Sequence, residues 1–159
     1  MVDTSDFILL VAALFIYSLL QLNLNSVLLN NNRVMAKTER DYTAVALAQN
    51  IADESREKAF DEGSVGVYIP LKVEDFSVIG PEAGEVYPFF DDIDDYNNYS
   101  RVDTTESGIY TTLCKVDYMV EGNLNQVSAV KTPYKRLYVQ VISNVTDDTV
   151  AVTYIKSYY

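Results

Sequence analysis

FILLVAALFIYSLLQLNLNSVLL, residues 7–29, decides the fold: 18 of its 23 positions are apolar and none is charged. The uncharged run continues to Asn32, and none of the chain's six Gly or four Pro falls before Gly63. With the helix breakers confined to the rest of the chain, residues 1–62 read as one long helix. At about 1.5 Å per residue, the 26 residues from Phe7 to Asn32 extend roughly 39 Å, enough to cross a hydrocarbon core of about 30 Å. A cleaved signal peptide fits badly, because no basic segment precedes the run and no small-residue cleavage site follows it.

Working outward, Met1-Val2-Asp3-Thr4-Ser5-Asp6 precedes the run. Asp3 or Thr4 is placed to cap the helix, and Asp3 and Asp6 lie where the helix dipole favours negative charge. The second half of the run is polar in places. Ser18, Gln21, Asn25 and Asn32 fall along one stripe, and Asn23, Ser26 and Asn30 along another. In lipid such amides seek partners on neighbouring helices, each contributing about 0.6–2 kcal/mol. A short membrane anchor with a wet end is one reading; a helix packed among copies of itself is the preferred one. Arg33, Lys37 and Arg40 follow the run, and no Lys or Arg precedes it. The positive-inside rule would therefore place the remaining chain in the cytoplasm, unless a basic leader has been removed; both stay open.

From Arg33 to Asp61 the expected helix is soluble. Ala44, Leu47, Ala48, Ile51, Ala52, Ser55 and Ala59 recur at three- and four-residue steps. They form a narrow stripe that lets a sheet approach closely. Phe60-Asp61-Glu62-Gly63 is the expected stop.

A net charge of −11 argues against nucleic acid as a partner. The chain has no His and one cysteine, Cys114. Disulfides within the chain, Cys/His zinc sites and His-dependent triads are thereby excluded, and the chain is not expected to be an enzyme.

The expected organisation is residues 1–32 hydrophobic helix, 33–62 its amphipathic continuation, and 63–159 a β-rich head with an acidic loop at 89–107. Val65–Ile69 and Leu71–Val73 are candidate short strands around Pro70. Asp91, Asp92, Asp94, Asp95 and Asn97 gather enough oxygen to make calcium an option. The pattern fails the EF-hand template, however, because Asn97 stands where Gly is required. A solvated acidic loop anchored by its aromatics is the expectation. Asn98-Tyr99-Ser100 and Asn144-Val145-Thr146 match the glycan-acceptor pattern at Asn98 and Asn144.

After Gly108 the period becomes two. Tyr110, Thr112, Cys114, Val116 and Tyr118 share one face of a strand; Val127–Lys131, Leu137–Val141 and Val150–Tyr154 follow as further strands. The expected fold is α+β: a long helix packed on a four-stranded antiparallel meander.

This layout resembles the type IV pilin and pseudopilin family. The most specific local match is TAVALAQNIADESR, Thr43–Arg56, which is similar to the Ala-rich helical segment of minor pilins and pseudopilins. That family carries Glu at its fifth mature position. Here Ser5 stands there, and Asp6 would become fifth only after removal of Met1. The resemblance implies a structural subunit of an extracellular filament, held in the inner membrane before assembly and then polymerised with copies of itself. Phe7, Leu10, Leu14, Ile16, Ser18, Gln21, Asn25 and Asn32 would line the assembly helix. A minor pseudopilin of a secretion or uptake system, or a membrane-tethered domain binding calcium or another ligand, is the alternative.

Overall fold

A computed structural model of the chain describes residues 3–66, 69–145 and 148–159. Its first element is α1, Thr4–Glu57. The structure divides into two compact units, Met1–Glu39 and Arg40–Tyr159. Within the first unit, every residue from Asp3 to Met35 is exposed. Asp3 occupies the cap position, its backbone carbonyl accepting the Phe7 N–H, and Asp6 lies in the first turn.

In the second unit, Ala44, Ala48, Ile51, Ala52 and Ser55 form the buried stripe of α1. Small side chains at these positions bring the helix backbone close to the sheet, with Ile51 as its one large buried side chain. The helix ends at Glu57, short of the expected stop at Gly63. The Lys58 N–H turns back to the Ser55 carbonyl, and Ala59 then pairs with Asp92 through the Ala59 N–H to Asp91 carbonyl bond and the Ile93 N–H to Ala59 carbonyl bond. Lys156 donates to the carbonyls of Arg56 and Lys58, which places a cation on the helix C-terminus where the dipole is negative. Leaving the helix early frees Phe60 to join Phe76 and Tyr158 in a ring cluster, with centroids 5.0–5.3 Å apart.

Five antiparallel strands follow: β1 Ser100–Thr105, β2 Gly108–Val120, β3 Asn123–Val127, β4 Tyr134–Ser143 and β5 Thr149–Ser157. Their order is β1-β2-β4-β5, with β3 paired only to β2. Strand β1 corrects the expectation that residues 89–107 form one acidic loop. It is an edge strand of sequence SRVDTT, joined to β2 by a turn that closes on the Thr105–Gly108 pair. Gly108, at φ 147°, takes a backbone angle that a side chain would resist. Strand β3 replaces the expected Val127–Lys131 strand, and all five of its residues are exposed. Leu71–Val73 is not a strand; a 3₁₀ turn occupies Val73–Asp75. The Val65–Ile69 candidate includes residues 67 and 68, outside the described residues.

The alternation anticipated for β2, β4 and β5 is observed. Tyr110, Thr112, Cys114, Val116 and Tyr118 face inward, as do Leu137, Val139 and Val141; Tyr110, Cys114, Val116 and the three β4 residues pack with Ala44, Ala48 and Ile51, while Tyr118 joins Phe60 and Phe76. Phe90, Ile93 and Tyr96 close the same core from the segment before β1. Tyr96 and Tyr87 donate to the two carboxylate oxygens of Glu54 at 2.8 and 3.3 Å, tying that segment to α1.

Candidate functional site

Two features stand apart from an ordinary helix-on-sheet domain: the exposed apolar half of α1, and a charged cluster buried inside the head.

The first is a matter of surface. Phe7, Leu10, Leu14 and Ile16 are 63, 58, 59 and 63% exposed, and the helix is long and apolar enough to cross a membrane. Soluble monomers rarely expose more than a few hundred Å² of contiguous apolar surface, so this face requires lipid or protein around it. The polar residues on the same helix are partly self-satisfied. Ser18 Oγ donates to the Phe15 carbonyl at 2.8 Å, and Gln21 Nε2 donates to Tyr17 Oη at 2.8 Å. These local bonds lower the cost of carrying such side chains through an apolar layer. Asn25 and Asn32 are exposed.

The second is a matter of charge. Lys135 lies at the inward parity of β4, beside Leu137, Val139 and Val141, and is fully buried. Its ammonium donates to Asp61 Oδ1 at 2.7 Å, Asp94 Oδ2 at 2.9 Å and the Phe60 carbonyl at 2.8 Å. Three donors thus meet three acceptors. The rings of Phe60 and Tyr118 lie 4.7 and 5.5 Å from the nitrogen, adding cation–π attraction in a dry setting. Asp61 also accepts from the backbone amides of Gly63 and Ser77 and from the Ser77 hydroxyl. Burial works to raise the Asp61 pKa, but the Lys135 bond and charge and those amides hold it below the ordinary carboxylate value.

Asp92 behaves in the opposite way. Its Oδ1 accepts from the amides of Asp94 and Asp95, while Oδ2 is buried without a hydrogen-bond partner, as is Asp94 Oδ1. Burial and contact with the Asp94 carboxyl group push the Asp92 pKa up to about 10.

These shifts set the pH dependence of the head. Groups with raised folded-state values stabilise below their unfolded value, and that contribution is lost as pH rises. The window for Asp92 runs from 3.8 to about 10, and that for Asp95 from 3.8 to about 6. Asp61 and Asp117, whose values are lowered, lose their contribution only below 3.8. Thermal melting of the full chain in detergent with EDTA is expected to peak in mild acid, near pH 4–5, and to decline toward pH 8. A maximum above pH 7 would contradict these assignments.

The remaining anticipated residues fall as follows. Asp92, Asp94 and Asp95 are buried rather than solvated, which corrects the expected solvated acidic loop; Asp91 is exposed. The physical reason is the alternation of Asp with Ile93 and Tyr96, which anchor a 3₁₀ turn at Asp94–Tyr96 in the core. Asn97 Oδ1 accepts from the Val116 amide. Of the five candidate calcium ligands, Asp92, Asp94, Asp95 and Asn97 spend oxygens on backbone amides, Ser77 and Lys135. Asn98, exposed at φ 62°, donates its backbone N–H to the Cys114 carbonyl. Asn144 accepts from the Ile109 amide, and Thr146 of its acceptor pattern lies outside the described residues. Cys114 is buried and its thiol is pushed up to about 12 by burial, so it is core filler and a poor nucleophile. Asp61, Ser77 and Lys135 were not anticipated as a set. The available signal was a lysine at the inward parity of an otherwise apolar strand.

The class so defined is an α+β domain whose N-terminal helix is long and apolar enough to enter a membrane. Comparison with protein-family models, curated proteins and solved structures finds no match to this chain.

Proposed function

We propose that this chain is a structural subunit of an extracellular pilus-like filament, inserted in a membrane before assembly and polymerised through the apolar half of α1. The observation that carries this reading is the exposure of every residue from Asp3 to Met35 on the helix whose later turns seal the head's core. A simple tether needs only an apolar span. Here the span also carries Ser18, Gln21, Asn25 and Asn32 on one stripe, which suits contact between neighbouring helices better than contact with acyl chains. The acidic head, within a chain of net charge −11, suits an outer coat facing water.

Electron microscopy of material sheared from native cells, with gold-labelled antibody against the head, tests this directly. The expected result is continuous label along thin fibres. Label restricted to membrane fragments would overturn the filament and favour a tethered domain; label only at fibre tips would identify a minor subunit.

A further inference from the structure

A second acidic group lies outside the Lys135 cluster. Pro81-Glu82-Ala83-Gly84-Glu85 forms a turn closed by the Glu85 N–H to Glu82 carbonyl bond at 3.0 Å, with Gly84 at φ 96°. That positive angle at the third turn position is the one a type II turn reserves for Gly. The Glu82 amide donates to Glu85 Oε2, which holds the second side chain back over the turn. Against this turn sits Asp95. Carboxylate oxygens of Glu82, Glu85 and Asp95 all lie within 4.8 Å of one another.

Asp95 supplies the independent observation. It is 1% exposed, its Oδ2 accepts from the amides of Asp91 and Asp92 at 3.0 and 3.1 Å, and its Oδ1 is buried with no hydrogen-bond partner. A buried carboxylate oxygen without a donor is costly, and a cation held by the three acids would supply what it lacks. We propose that Glu82, Glu85 and Asp95 form a calcium site that pins the 81–85 turn to the segment before β1.

The chemistry fits a hard cation of calcium's size. Calcium takes six to eight oxygens at about 2.3–2.6 Å, so two of its ligand oxygens stand at most about 5 Å apart, and the observed spacing falls inside that limit. Magnesium, at about 2.0–2.1 Å, needs them closer and in a stricter octahedron. Three carboxylates provide three to six oxygens, and the open side at exposed Glu82 admits water for the rest. The surroundings agree. Glu62 and Asp91 face the same group, both with raised pKa values, and Lys58 is the cation acting on Asp91.

The test uses the full chain in detergent, calorimetric titration with calcium chloride alone, and thermal melting in calcium, magnesium or EDTA at pH 8. Calcium at saturation is expected to raise the melting temperature by roughly 5 °C or more. Magnesium should shift it by less than calcium. Glu82→Gln, at an exposed position, is expected to bind calcium at least tenfold more weakly, and Glu82→Gln with Glu85→Gln should abolish the shift, each variant's calcium shift being read from its own melt in EDTA. A wild-type chain with no calcium-dependent shift, or an equal shift in the double variant, would overturn the site. Filament formation is read separately and does not bear on either outcome.

Discussion

Replacing Lys135 by Met is expected to lower the unfolding free energy of the head by about 3–5 kcal/mol, since removing one member of a buried ion pair strands its partners. In this head the stranded groups would be Asp61 and Asp94, both 1% exposed or less, with no other lysine or arginine among the described residues within ion-pair distance of either. Met fills a similar volume, so the loss is chiefly electrostatic and not a cavity effect. Adding Asp94→Asn to Lys135→Met removes one stranded charge and should recover part of the loss. Asp61 keeps its amide donors from Gly63 and Ser77 and is less harmed by neutral surroundings. Urea unfolding of the full chain in detergent measures both variants. A single variant within about 1 kcal/mol of the wild type would show that the buried lysine adds little to the fold. Typical domains have only about 5–15 kcal/mol of total stability, so the predicted loss is large.

The second large effect concerns the apolar half of α1. Leu14→Asp is expected to prevent both membrane insertion and filament growth while leaving the head's melting transition unchanged. Exchanging Leu for Asp at a helix centre costs about 3 kcal/mol per copy on insertion scales, more than a hundredfold in partition. In a filament core the same carboxylate would be buried without a partner. Leu14 is 59% exposed in the single chain, so folding of the head does not depend on it. A gentler pair, Gln21→Leu with Asn25→Leu, keeps the span apolar and removes only the amides. It should insert normally and polymerise poorly, because lipid is as apolar as leucine and offers no drive for helices to associate. Antibody labelling of membranes and sheared material separates the steps. Normal fibres from Leu14→Asp would exclude the apolar half as the assembly element.

How much of this was legible in the sequence differs by element. The helix was plain, because the first Gly is residue 63 and the first Pro is residue 70. Its true end was not. Glu57 is set by Ala59 pairing with Asp92 and by Phe60 entering a ring cluster, both contacts with distant residues. The long inward faces of β2 and β4 carry a strong period of two, which makes both strands legible. Strand β1 escaped because SRVDTT has Val102 as its only aliphatic residue, and β3 because an edge strand exposed along its whole length leaves no apolar alternation. The acid-rich segment misled most. Four aspartates in five residues look solvated, yet Ile93 and Tyr96 drag three of them into the core, where Lys135 and backbone amides receive them. Local composition cannot report a partner that lies on β4, 41 positions after Asp94.

Whether copies of the chain cover the apolar half of α1 is measured by electron cryo-microscopy of fibres purified from native cells. The expected map has helices 7–32 of neighbouring subunits packed against one another along the fibre axis, with the heads outside. A chain recovered only as single helices surrounded by lipid, with no fibre containing it, would contradict that packing.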